Sequence, residues 1–396
     1  MKSTHNSLLY LAMATLMTGP AAAADLINFW NNPQKGGNSF NGAPPDQAYF
    51  NALAETGATW VRLTFSKWEG EGRDFLVGDA DHYDGLKTAD LAVLRKTLDA
   101  AQTAGLKVAI VPLVLPGARW TQQNQGKFDD RLWTDPAFAN QAVRFWRDLA
   151  AALKDHPAVA AYNLINEPAP EKNTDLPETA SMHDLEAWQK EQAGGPHDLL
   201  TLYERMIEAI RAVDKLTPIM VDSGFHAGSR SLAAWPRTLD DDKLLYAFHM
   251  YEPYEATSSP NMRREKPLRY PGTTTDYADG TWIWNRKGVA KYVDLAFDWA
   301  KKHEIKPNRV VVGEFGCMRR WTDCGPYLVD VIDAIDARGG HWAFYAFRED
   351  IWDGMDYELP FSLKPGRFYQ FTEQGKSEEL PRNGVLMQLL KTRMRR

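Results

Sequence analysis

The chain has 396 residues, 44% of them hydrophobic, which is enough for one large core; barrel domains run past about 250 residues without splitting. Its formal net charge is −6, from 46 basic and 52 acidic residues, and no basic tract stands out except 393–396, so the composition does not suggest nucleic acid as a partner. Fourteen tryptophans suggest flat stacking surfaces in addition to core.

In chain order, Lys2 and the apolar stretch 8–17 precede Pro20 and a run of alanines whose Ala22 and Ala24 fit an A-x-A cleavage site. Residues 1–24 are therefore expected to be a signal peptide, and 25–396 a single catalytic domain in a secreted or periplasmic, monomeric protein. The apolar run is too short to span a bilayer, so no membrane association is expected after cleavage.

Strands are predicted at 27–30, 60–65, 107–113, 158–165, 218–222, 244–249, 309–314 and 342–347. Each is short, rich in aliphatic or aromatic residues, and bounded by Gly, Pro, Asp or Asn. Amphipathic helices are predicted between them at 91–104, 140–153, 199–213, 289–302 and 327–337. Eight strands alternating with helices predict a (β/α)8 TIM barrel, and no dinucleotide-type glycine fingerprint follows the first strand. The longest insertions, 169–196 and 254–284, follow strand ends, where function sits on this fold. Cys317 and Cys324 are close enough to staple one loop in an oxidising compartment, with a pair of free thiols as the alternative. No His or carboxylate cluster at metal-ligand spacing surrounds them.

Two acidic residues stand where apolar strands stop. Strand four ends Tyr162-Asn163-Leu164-Ile165-Asn166-Glu167-Pro168, and strand seven ends Val312-Gly313-Glu314-Phe315-Gly316. Paired carboxylates across a barrel mouth suit glycosidic cleavage, in which one protonates the departing oxygen while the other stabilises or attacks the anomeric carbon. The plainer alternative is that both are structural carboxylates at helix starts.

These strings resemble glycoside hydrolase family 5, a family of cellulases and related β-glucanases and mannanases on a (β/α)8 barrel with retaining chemistry. Further strand ends share the resemblance: Arg62 in Trp60-Val61-Arg62-Leu63, and His249 and Tyr251 in Phe248-His249-Met250-Tyr251. It implies Glu167 as acid/base and Glu314 as nucleophile, Arg62 and Tyr251 supporting Glu314, and Asn166 bonded to the sugar 2-hydroxyl. Glu167 would need a raised pKa, for which the charge of Glu314 is the expected cause. No metal or organic cofactor is implied.

The sequence departs from the family pattern at two strand ends. The third, Val111-Pro112-Leu113-Val114, lacks the usual His, and the eighth, Tyr345-Ala346-Phe347-Arg348, lacks the usual Trp, leaving Tyr345, Phe347 or Trp352 to take its place. Loop aromatics Trp30, Trp68, Trp120, Trp282, Trp284, Trp321 and Trp352 are candidate sugar platforms, and Arg119, Arg348, Glu349 and Asp353 candidate hydroxyl readers. The expected activity is cleavage of a β-linked glucan-type polysaccharide or oligosaccharide, in the manner of a cellulase or endo-β-1,4-glucanase. The alternatives are a β-mannan or exopolysaccharide substrate, transglycosylation, or a barrel that binds polysaccharide without chemistry.

Overall fold

The computed structural model describes residues 26–275, 281–349, 354–363 and 381–396. The expected leader at 1–24, Trp352 and Asp353 lie outside them. Eight parallel strands close a barrel: β1 (Lys35–Ser39), β2 (Trp60–Leu63), β3 (Lys107–Ile110), β4 (Val159–Asn163), β5 (Ile219–Asp222), β6 (Leu244–Met250), β9 (Val310–Phe315) and β10 (His341–Phe344). An antiparallel hairpin, β7 (Gly272–Thr275) with β8 (Thr281–Trp284), interrupts the run in the insertion after β6. From β2 to β10 the barrel strands are buried almost throughout, as expected of parallel strands covered by helices, and this is why they read as apolar runs. Helices Pro136–Leu153, Leu199–Arg211 and Arg286–Lys302 begin at Asp135, Asp198 and Asn285, whose side chains accept from first-turn backbone N–H groups.

The first predicted strand is wrong. Residues Leu26–Asn31 form a 3-10 turn in which Ile27 and Trp30, three apart, are the buried positions. The true β1 has the sequence Lys-Gly-Gly-Asn-Ser, with no apolar residue to reveal it. Glycine is required there by space, because a Cβ on Gly36 would stand 2.4 Å from the Trp60 carbonyl oxygen and 2.8 Å from its indole. Trp30 donates its indole N–H to the Ala160 carbonyl at 3.0 Å and meets Trp60 and His341 edge to face, filling the closed N-terminal end of the barrel. Ala109, Ala160, Ala161, Ala247 and Ala343 pack into the same cluster, their small side chains leaving room for the two indoles.

Above that apolar layer the barrel carries a buried polar one: Asn38, Arg62, Asn163, Asp222, His249 and Glu314, on β1, β2, β4, β5, β6 and β9. This layer faces the carboxyl ends of the strands and forms the floor of a cleft.

Cys317 and Cys324 are disulfide-bonded and buried, joining the loop after β9 to the start of helix Cys324–Asp336. Cross-linking a loop this short is worth about 2 to 3 kcal/mol by the loop-entropy relation. The Cys317→Ser/Cys324→Ser variant is expected to lose that much in denaturant unfolding, and wild type to lose it on reduction. Reduction that leaves the unfolding midpoint unchanged would contradict this.

Candidate active site

Arg62 projects from β2 into the polar layer with no solvent exposure, and its guanidinium organises that layer. Nε donates to Asn163 Oδ1 at 2.7 Å, one terminal nitrogen to Glu314 Oε1 at 2.7 Å and Asn38 Oδ1 at 3.3 Å, and the other to Asn166 Oδ1 at 2.9 Å and Asp222 Oδ2 at 3.0 Å. The planar fork thus holds side chains from β1, β4, β5 and β9 and from the turn after β4 at once, a task lysine cannot perform. Glu314 receives a second hydrogen bond from the Tyr251 hydroxyl at 2.7 Å.

Glu167 lies one turn beyond β4 with a left-handed backbone, φ 47°, and its N–H reaches Asp222 Oδ2 at 3.3 Å. A non-glycine residue in that region is held there by its surroundings. Its carboxylate meets His249 Nδ1 at 2.8 Å, while the other ring nitrogen of His249 faces Asp222 Oδ2 at 3.5 Å. A carboxylate oxygen of Glu167, a ring nitrogen of His249 and a carboxylate oxygen of Glu314 all lie within 4.8 Å of one another. Those three could geometrically hold a cation. However, His249, Tyr251 and Arg62 already bond to the carboxylates, and the fixed guanidinium repels a metal ion at Glu314.

Burial pushes the Glu167 carboxyl up to about 7, helped by the charge of Asp222 and opposed by His226 and Arg62. Burial, rather than the expected charge of Glu314, is thus the leading cause. Burial also raises Glu314, against the pull of His249 and Arg62 and the Tyr251 hydrogen bond. Desolvation lowers the His249 pKa and favours its neutral ring. Of the two glutamates, Glu314 has the partners that best stabilise an anion, and Glu167 is the better proton carrier.

The cleft above has a volume of about 780 Å³. Of the sequence-predicted residues it brings together Glu167, Glu314, Asn166, His249, Tyr251, Trp120 and Arg119 on its walls, with Arg62 directly beneath. Trp133, not singled out from the sequence, also lines the cleft, and the other candidate tryptophans with described side chains are structural. Trp30 fills the barrel base, and Trp321 is buried with its N–H on the Leu268 carbonyl. Trp282 stacks on Trp284 under Lys291, and Trp68 packs against Phe75. Arg119 is fixed by Asp74, Asp79 and Asp81, and Arg348 by Glu358. Pro112 and Leu113 line the cleft where the family pattern has a histidine. At the eighth strand end Tyr345 lines it, its hydroxyl donating to Glu349 at 2.8 Å, while Phe347 packs on Tyr49 away from it. Glu349 in turn pairs with Lys67, another cleft residue.

Sequence reasoning missed Asp222, although it ends an apolar strand just as the glutamates do. It also missed Asn38, which sits on the unrecognised strand, and His226, which sits in a loop. Phe225, His226 and Ala227 are three consecutive left-handed residues, φ 46°, 55° and 64°. The turn is held by Phe225 N–H donating to buried Glu171 at 3.0 Å and His226 N–H donating to the Pro168 carbonyl at 3.1 Å. A Cβ on Gly224 would stand 2.1 Å from the Glu171 carboxylate. Gly224→Ala is therefore expected to displace this turn and cost about 1 to 3 kcal/mol, as overpacking does, read by denaturant unfolding. Stability within 0.5 kcal/mol of wild type would mean that Glu171 yields without cost.

Comparison with known proteins agrees with this architecture. Endoglucanase Cel5A from Thermotoga maritima in complex with cellobiose superposes with a TM-score of 0.61 at 16% identity, covering 92% of this chain and all of that one. The same enzyme with mannotriose gives 0.59 at 16% identity, covering 84% and 94%. The cellulose synthase subunit Z from Clostridioides difficile gives 0.59 at 15%, covering 90% and 99%. At these identities the likeness speaks for the fold. No curated protein sequence matches the chain. The cellulase model of glycosyl hydrolase family 5 matches residues 23–350, most of the chain, which therefore belongs to that family and is a glycoside hydrolase of the cellulase type.

Proposed function

We propose that this chain is an exported, retaining β-glycosidase that cleaves a β-1,4-glucan-type polysaccharide by double displacement. The observation that carries the reading is the pair of carboxylate oxygens within 4.8 Å, each with different partners. Retaining enzymes keep their carboxyls roughly 5–5.5 Å apart, whereas inverting ones need about 6.5–9.5 Å to admit a water.

In the first step Glu314 attacks the anomeric carbon and forms a glycosyl ester. The bond to the leaving oxygen breaks, and that oxygen takes the proton of Glu167. In the second step Glu167, now ionised, removes a proton from water, whose oxygen displaces Glu314 and regenerates both groups. Arg62 and Tyr251 stabilise the departing Glu314 carboxylate. His249 neutral at Nδ1 can accept from protonated Glu167, which keeps the acid aimed without taking its proton permanently. Asn166 is oriented by Arg62 through its oxygen, and its amide N–H₂, without an acceptor among the described residues, can meet the sugar 2-hydroxyl. Trp120 and Tyr345 offer the cleft apolar faces for sugar rings.

A mannan is the second substrate to consider, because one of the similar structures holds mannotriose. Export is supported by the leader-like segment 1–24 and by the buried disulfide, which persists in oxidising compartments. We take the working form to be a monomer. The test is reducing-sugar release by the mature chain from a panel of β-glucans and β-mannans beside Glu314→Gln, with the anomer first released followed by NMR. Retention of configuration on one glycan, lost in the variant, supports the reading. An inverted first product, or no release from any glycan by folded protein, overturns it.

A further inference from the structure

Resting on the assignment of Glu167 as the acid, the leaving part of the substrate lies on the Glu167 side of the cleft, walled by the loops after β4, β5 and β6. Each of those loops contributes one cation to the cleft lining: Lys172, Arg230 and Arg263. Among the described residues none of the three has a carboxylate within 4 Å, although ion pairs elsewhere engage most arginines. Lys172 and Arg263 are exposed, which water makes inexpensive.

Arg230 is different. It is 7% exposed, and among the described residues its only acceptor is the Ala180 carbonyl, met by one terminal nitrogen. A guanidinium has five N–H donors, and one held in a nearly buried position without a counter-charge is costly. None of its nitrogens is among the fully sealed, unpartnered polar atoms, so the spare donors open towards the cleft that Arg230 lines. Ser231 beside it and Ser258 on the loop after β6 also line the cleft, although their hydroxyl oxygens are sealed from solvent and, among the described residues, have no hydrogen-bond partner. Glu178 and Glu252 also line this region, Glu252 accepting from Tyr254 N–H. Glu167, the third acidic residue on this side, carries a proton as the acid, so the three cations outnumber the two carboxylates.

We propose that the leaving-group side of the cleft is built for a glycan carrying an anionic substituent, a carboxylate or phosphate, with Arg230 as its principal ligand. The guanidinium fork matches either group with two parallel hydrogen bonds. Lys172 and Arg263 raise the local positive potential that draws the anion in.

Binding is measured by calorimetry in full-length Glu314→Gln, so that turnover does not interfere, with three probes. These are a β-1,4-linked glucose tetramer, the tetramer oxidised to carboxylate at C6, and the tetramer phosphorylated at C6. At low salt at least one charged tetramer is expected to bind about tenfold or more tighter than the neutral one, the size of a hydrogen bond between charged groups, and the gain should shrink as salt is added. Which charged tetramer gains identifies the substituent. Adding Arg230→Gln is expected to erase the gain, so that charged and neutral tetramers bind alike, and Arg230→Lys to keep part of it. Should Arg230→Gln fail to fold, exposed Arg263→Gln and Lys172→Gln are expected each to lower the gain by a smaller factor. Charged tetramers that bind no tighter than the neutral one, or a gain that survives every one of these substitutions, would overturn the proposal. Because no turnover is needed, this inference and the hydrolase reading fail separately.

Discussion

Glu314→Gln is expected to lower kcat by about 10⁴- to 10⁶-fold on any glycan the wild type cleaves, the range seen when one member of a cooperating catalytic set is lost. The amide preserves shape and can still meet Tyr251 and Arg62 but offers no nucleophilic oxygen. Glu167→Gln should behave differently. Its loss removes general acid catalysis, worth about 10²- to 10⁴-fold on a glycan whose leaving alcohol needs a proton, and much less on an aryl glycoside whose phenolate leaves unaided. Added azide should speed the slow second step in Glu167→Gln and trap a β-azide, and it should do nothing for Glu314→Gln. Equal losses on both substrate types in both variants would exclude the separate roles.

The pH dependence follows from the same geometry. Burial raises the Glu167 carboxyl to about 7, and the acid acts only when protonated, so kcat/KM should fall about tenfold per pH unit above that value. Glu171 is buried and also raised to about 7, so a limb at that pH does not by itself identify its source. With the aryl glycoside the alkaline limb should flatten in Glu167→Gln and persist in Glu171→Gln. The opposite result would move the titration to Glu171.

Much of this architecture could be read from the sequence, for one physical reason. Parallel barrel strands are buried on both faces and appear as apolar runs, so seven of eight were visible, and the residues just past each run fell at the mouth. Glu167 and Glu314 were found that way. β1 was not, because Gly36 and Gly37 give way to Trp60 and Phe344 inside the barrel, and Asn38 went unseen with it. The tryptophans misled for the converse reason. Indole is equally suited to a sugar platform and to a large void, and the alanine-lined barrel base takes Trp30 and Trp60. Nothing in a linear sequence tells those two uses apart. Arg230 and His226 could not be anticipated either, since their placement depends on the left-handed turn after β5.

Arg62→Met is expected to have the largest effect on stability, about 3 to 5 kcal/mol in denaturant unfolding, because it strands charges rather than merely deleting a contact. Arg62 is the shared cation of Asp222 and Glu314, both buried, and it also satisfies the side-chain oxygens of Asn38, Asn163 and Asn166. Methionine fills much of the volume but leaves two carboxylates facing each other in a dry layer. Without Arg62 to offset burial, Glu314 would be driven further towards its neutral form and lose nucleophilicity even in molecules that remain folded. Arg62→Lys should recover only part of the loss, since an ammonium cannot span acceptors on opposite walls of the barrel. Asp222→Asn added to Arg62→Met removes one of the stranded charges, so the double variant is expected to be more stable than Arg62→Met alone. That coupling is the decisive readout. If the two substitutions simply add, the guanidinium is a packing residue, and the charge balance beneath Glu314 must be maintained by some other group.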